Sequence, residues 1–189
     1  MDWAELFAVA ADPLVWEVHP SSDRWQEQVF REFFADGLAS GGMLTARHTA
    51  SGAVIGSSRF STESTEDGEV EIGWTFLSRA HWGGATNREM KHLMLTHAFG
   101  CFGTVIFRVG EDNDRSRRAV EKIGGRLIDR PPPASRPDHV TYATRRDGLS
   151  RAHRGPGSVT AAKSLNVKYP RQISARRNCG HSLDDNSVD

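Results

Sequence analysis

The order of its predicted elements makes this chain a mixed α/β domain of the α+β type, with a mostly antiparallel sheet flanked by helices. Three observations predict that class. Apolar stripes at helical spacing recur along the chain. Glu69–Leu77 alternates apolar and polar residues one by one. Short apolar runs bounded by Gly, Pro, Asn and Asp fill much of the remainder. The resulting order is helix, helix, three strands, helix, strand, helix, strand, strand.

The first helix rests on Trp3, Leu6, Phe7 and Ala10, and Asp12-Pro13 stops it. The second is expected over 23–38, with Asp23 and Gln26 as a capping pair and Trp25, Val29, Phe30, Phe33 and Phe34 as a core-facing surface. Strands are expected over 43–47 and 53–60, separated by the turn signal Ser51-Gly52. In Glu69–Leu77, Val70, Ile72, Trp74 and Phe76 should share a buried face, leaving Glu69 and Glu71 to point toward solvent or a cleft. Thr86 and Glu89 have capping-box spacing ahead of the helical run Met90, Leu93, Met94 and Ala98. A strand follows over 104–109. A helix capped by Asn113 and Asp114 then runs to Ile123 and is ended by Gly124-Gly125. Strands over 126–129 and 140–144 close the domain.

The bulk properties narrow the function. A length of 189 residues suits one domain of residues 1–146 with a basic, disordered tail of 147–189, rich in Arg, Lys, Ser, Gly and Asn. A formal net charge of zero gives no case for a nucleic-acid binder as a whole, although the tail arginines and lysines suit weak RNA or ribosome contact. No apolar run is long enough for a membrane helix. The acidic N-terminus does not read as a signal peptide, and the two cysteines, Cys101 and Cys179, read as reduced thiols, so a cytoplasmic protein is expected. No His, Cys and Asp cluster has metal-ligand spacing, so no metal is expected. His81 and His97 are read as surface or packing residues.

Chemistry concentrates between Glu69 and Phe99. Small residues opening a helix leave backbone N–H groups at its positive end, an arrangement that binds phosphate. Gly83 and Gly84 permit close backbone approach there. Four runs in this order, Glu71-Ile72-Gly73-Trp74, Trp82-Gly83-Gly84-Ala85, Asn113-Asp114-Arg115-Ser116 and Glu121-Lys122-Ile123-Gly124-Gly125, resemble the GNAT N-acetyltransferase superfamily. The likeness spans roughly residues 3–145 and is closest to the branch of ribosomal-protein-alanine N-acetyltransferases.

The resemblance implies a GNAT fold and transfer of acetyl from acetyl-CoA to a primary amine, on a protein N-terminus or a small molecule, by direct attack. It implies that the strand backbone at Thr75, Phe76 and Leu77 holds the pantetheine arm. Trp82, Gly83, Gly84, Ala85, Thr86 and Asn87 would cradle the pyrophosphate, and Asn113 would contact pantetheine or thioester. It implies Glu71 as the base, with Glu69 its rival, and Ser116 as a hydroxyl near the CoA sulfur. The chain departs from the family pattern at Ala85 and Asn87, and at Val120, where many members have a tyrosine acid. It also lacks the family's first strand, which leaves the 43–47 strand as an open edge. Those departures keep two alternatives: a non-catalytic acyl-CoA-binding module, and a truncated relic with an RNA-attracted tail. Either a monomer or a homodimer fits.

Overall fold

The computed structural model describes residues 3–146 and 165–168. Helix α1 (Trp3–Ala10) and a short 3-10 turn (Pro13–Val15) precede α2 (Glu27–Ala39). Three strands follow: β1 (Met43–His48), β2 (Val54–Ser61) and β3 (Glu69–Leu77). Then come α3 (Thr86–Ala98), β4 (Thr104–Gly110), α4 (Asp114–Lys122), β5 (Arg126–Ile128), β6 (His139–Arg145) and β7 (Leu165–Lys168). The sheet order is β5-β6-β4-β3-β2-β1-β7, antiparallel except where β3 meets β4.

Two apolar layers hold the sheet. Leu6, Ala10, Trp16, Phe30, Phe33, Met43 and Phe76 form one, under α1 and α2. Val70, Ile72, Met90, Met94, Leu95, Val105, Phe107 and Val120 belong to the other, under α3 and α4. The aromatic face expected of α2 is therefore core at Phe30 and Phe33. Trp25 is not part of it and stays exposed. The helix starts only at Glu27, after a turn in which the Gln26 N–H donates to the Asp23 carbonyl, so no Asp23 cap forms.

The expected single buried face of β3 is wrong beyond Ile72. Val70 and Ile72 lie in the α3/α4 layer, but Phe76 packs among Trp16, Phe30 and Phe33 on the other side. The cause is a bulge. Ser57 pairs with Phe76 while Arg59 pairs with Gly73, so β3 carries one more residue than β2 across this stretch. Trp74 takes it up with φ 51, a left-handed conformation unfavourable for a side chain by about 1 kcal/mol. Past the extra residue the alternation changes phase.

The β1 edge expected to be open is covered. Leu165–Lys168 pairs antiparallel with β1, from Thr45↔Lys168 to His48↔Leu165. Leu165 is buried in the core, and its N–H donates to Glu89 Oε1 at 3.2 Å. The rest of the expected tail lies outside the described residues. Cys101 is disulfide-bonded, against the expected reduced thiol, and the other cysteine, Cys179, lies outside the described residues. No described helix is long and apolar enough to cross a membrane.

Candidate active site

Strands β3 and β4 run parallel and are bonded only from Glu69↔Thr104 to Glu71↔Ile106. Beyond Glu71 they part. The β3 edge from Gly73 onward then faces a cleft of about 980 Å³ instead of a neighbouring strand. The N-termini of α3 and α4 and the start of β6 close its sides.

Helix α3 opens on this cleft without a side-chain cap. Ala85, in helical conformation, is its N-cap, and Thr86 is already helical, so the expected Thr86–Glu89 capping box does not form. Glu89 instead accepts from Leu165. The first N–H groups of α3 thus remain for a ligand or water. Gly83 takes φ +70 in the turn before them. The Trp82 indole anchors the turn by donating to the Leu77 carbonyl at 2.9 Å, and the Arg115 guanidinium lies 4.1 Å from its ring centre. That bond occupies one of the backbone groups expected to face pantetheine. At α4, the Asn113 side-chain oxygen accepts from the Ser116 N–H at 3.1 Å. Asn113 is a true cap, and only its amide N–H groups stay available. A Schellman closure ends the helix, with Gly125 N–H on Val120 and Gly124 N–H on Glu121, as the glycine pair predicted.

Thr75, Phe76, Leu77, Trp82, Gly83, Gly84, Ala85, Asn87, Asn113 and Ser116 all line the cleft. Thr86 sits beside it, at the first position of α3. Glu71 does not line it. Its side chain is fully enclosed, with one oxygen 2.7 Å from Arg136 Nη1 and the other bonded by both Arg108 and Arg136. It faces neither solvent nor the cleft. Glu69, its rival, is held by Arg130 in two bonds of 2.6 and 3.1 Å. Burial pushes the Glu69 carboxyl up, and the Arg130 bonds bring it net below its ordinary value.

Several site residues escaped sequence reading. Lys91, on the buried side of α3, lines the cleft and donates to Thr75 Oγ1 at 2.5 Å. No described carboxylate pairs with it, and burial pushes its pKa down to about 7. The sequence holds a signal for it: Lys91 has Asn87 and Leu95 four residues either side, so no acid shares its ridge. On the α2 side, guanidiniums alternate with rings. Arg136 and Arg59 flank Trp74 at 4.9 and 4.8 Å, and Arg59 and Arg24 flank Phe33 at 5.4 and 4.6 Å. Next to them His19, pushed down to about 4 by burial and then by Arg24, lines the cleft. His139 lines it too, from β6. His81, expected as a surface or packing residue, lines the cleft as well, and the His97 ring packs 5.8 Å from Phe60. Among the described residues no cluster of His, Cys, Asp and Glu is arranged to hold a metal.

An uncapped helix end beside a parted pair of parallel strands is an arrangement suited to seating an anionic group such as a phosphate. The sequence matches the family described as "Acetyltransferase (GNAT) domain" over residues 1–126, and the chain belongs to that family. Solved structures share the fold. A GCN5-related N-acetyltransferase from Brucella melitensis aligns with TM-score 0.62 at 16% identity, covering 90% of this chain and 85% of that one. A GNAT-family protein from Chromobacterium violaceum aligns with TM-score 0.64 at 23% identity, over 78% and 79% of the two chains. Mycobacterium smegmatis RimJ, solved with CoA-disulfide, aligns with TM-score 0.55 at 17% identity, over 78% and 82%. Among curated proteins none matches the sequence.

Proposed function

We propose that this protein moves the acetyl group of acetyl-CoA to a primary amine. The observation that carries the reading is the cleft itself. It opens at the unpaired β3 edge and ends at an uncapped helix. The pyrophosphate would sit on the N–H groups from Gly83 to Asn87. Arg88, Arg115, Arg118 and Lys122 line the same region and would face the cofactor's phosphates, with Asp114 the one carboxylate beside them. Backbone of Thr75 and Phe76 would bind the pantetheine arm, as a further strand binds a sheet edge. Asn113 N–H groups and the Ser116 hydroxyl, at the start of α4, would flank the thioester. The acetyl carbonyl and the acceptor amine would meet where β3 and β4 separate, and holding both there supplies much of the rate. RimJ solved with a CoA derivative is consistent with the cofactor choice.

The amine enters from the α2 side, past Trp74 and His19. A peptide N-terminus, as in the ribosomal-protein-alanine branch, is the first acceptor class to try, and small amines the second. Calorimetric titration with acetyl-CoA, followed by thiol release with N-terminal alanine peptides and a panel of small amines, tests the reading. Micromolar binding, about −8 kcal/mol, with turnover on at least one amine is expected. Binding without turnover on any amine would make the protein a non-catalytic acyl-CoA module. Absence of binding by folded protein would remove the cofactor assignment.

A further inference from the structure

We infer that the imidazole of His139 receives the proton that the acceptor nitrogen loses as the amide forms. The inference rests on the amine-acetylation reading above. In that reaction the amine nitrogen bonds to the thioester carbonyl carbon and the C–S bond breaks. CoA leaves as thiolate and takes a proton from solvent. The nitrogen sheds a proton as it becomes an amide nitrogen, and a base at hand speeds that step. His139 returns the proton to solvent once the product departs.

Elimination and placement converge on this residue. Glu71 is enclosed and saturated by Arg108 and Arg136. The one carboxylate lining the cleft is Asp114, at the phosphate end, 3.8 Å from Arg118. Lys91 lines the cleft but is committed to the Thr75 hydroxyl, and His81 lies in the 3-10 turn directly before Trp82 and Gly83, at the phosphate end. Both ring nitrogens of His19 are engaged, one by the Ser21 N–H at 2.9 Å and one by Arg24 at 3.0 Å. His139 differs. It stands opposite Gly110 in the β4–β6 ladder, at the point where β4 passes into the α4 cap that carries Asn113 and Ser116. Nδ1 is buried without a hydrogen-bond partner, and among the described residues none bonds Nε2.

The surroundings keep the ring neutral. Burial pushes its pKa down first, and Arg136 adds to this, as does Arg108. Glu71 and Asp138 push it back up, leaving it net below the ordinary imidazole value. His19 faces it as well, and is itself held neutral near pH 7. A neutral imidazole is an acceptor. As pH falls through its lowered pKa it gains a proton and stops serving.

The experiment uses the full chain and the amine that turns over fastest in the panel, at saturating acceptor and acetyl-CoA. Wild-type kcat should fall on the acid side with a midpoint below about 6.5. His139→Gln should lower kcat on the order of 100-fold or more and lose that acid limb, while its calorimetric affinity for acetyl-CoA stays within threefold of wild type. Added imidazole should restore part of the activity of His139→Ala, which a purely structural role would not allow. Wild-type kcat and an unchanged acid limb in His139→Gln would overturn the assignment and leave acetylation standing. If either variant fails to bind acetyl-CoA, ring titration of His139 by NMR in wild type decides, and a midpoint above the ordinary value overturns the inference. A wild type that binds acetyl-CoA yet acetylates no amine would take down the acetylation reading and this inference with it.

Discussion

Glu71 and Lys91 are both buried charged side chains, and their partners separate their roles. The Glu71 carboxylate binds two arginines, one of them nearly as enclosed as itself. Removing its charge would leave Arg108 and Arg136 facing each other without a counter-ion. Glu71→Gln should therefore cost about 3 kcal/mol of stability, the usual result of breaking a buried pair, read as a lowered urea midpoint. Its kcat, measured well below the unfolding range, should change only a few-fold. A variant of unchanged stability with kcat lowered on the order of 100-fold would restore Glu71 as base. Lys91 has hydroxyls and no carboxylate. Its pKa is about 7 in the fold against 10.5 as the ordinary value. Between those limits the unfolded chain binds the extra proton, so stability rises with pH. Below about 7 the whole penalty of a buried ammonium is present. Lys91→Met should then raise the urea midpoint clearly near pH 6 and progressively less toward pH 10, the gain at pH 6 being on the order of a few kcal/mol. A difference that does not vary with pH would contradict the lowered pKa.

In the proposed function, the α3 N-terminus is the element on which cofactor binding turns. A Cβ placed on Gly83 meets no protein atom, although its φ of +70 disfavours one. Gly83→Ala should lose only about 1 kcal/mol of stability. The added methyl would occupy the space assigned to pyrophosphate, and calorimetric affinity for acetyl-CoA should drop tenfold or more. Wild-type affinity in a folded Gly83→Ala would place the phosphates elsewhere. Helices, strands and their order were legible in the sequence where the signal is local: Trp3–Ala10 from its spacing, the end of α4 from Gly124-Gly125, the cap at Asn113. The features that build the site were less so. The β3 bulge arises from pairing with β2, so Phe76 could not be assigned its face from alternation alone. Thr86 had the residue type of a cap, but the turn had already entered the helix at Ala85. The cleft-lining residues from Thr75 to Asn113 were legible through family resemblance. Lys91 left only a helical-ridge signal, the lack of an acid four residues to either side. His139 left none, because only the β4–β6 ladder brings it to Gly110.

At the scale of the whole molecule, one sheet performs two tasks whose demands conflict. Its centre parts at β3 and β4, where the proposed cofactor would enter, so strand pairing there is short and the remaining strands must hold the sheet together. At one margin that task falls to a four-residue strand from far along the chain. Leu165 joins the α3/α4 core and ties its N–H to Glu89, three residues into the helix that follows the Gly83-Gly84 turn. The β7 strand therefore covers the β1 edge and steadies α3 together. Deleting residues 147–189 removes both effects. The shortened chain should melt several degrees lower, since losing a buried leucine alone costs about 2–5 kcal/mol. Its uncovered β1 edge should pair with other copies, seen in light scattering as mass that grows with concentration. The deletion also removes Cys179, so the comparison is made with Cys101→Ser in both lengths. Acetyl-CoA affinity should weaken as well, because the helix that Glu89 helps fix is the one assigned to the phosphates in the proposed function. Equal melting temperature, unchanged mass and equal affinity in the two lengths would show that β7 is a passive addition and that the six strands before it sustain the fold and the cleft unaided.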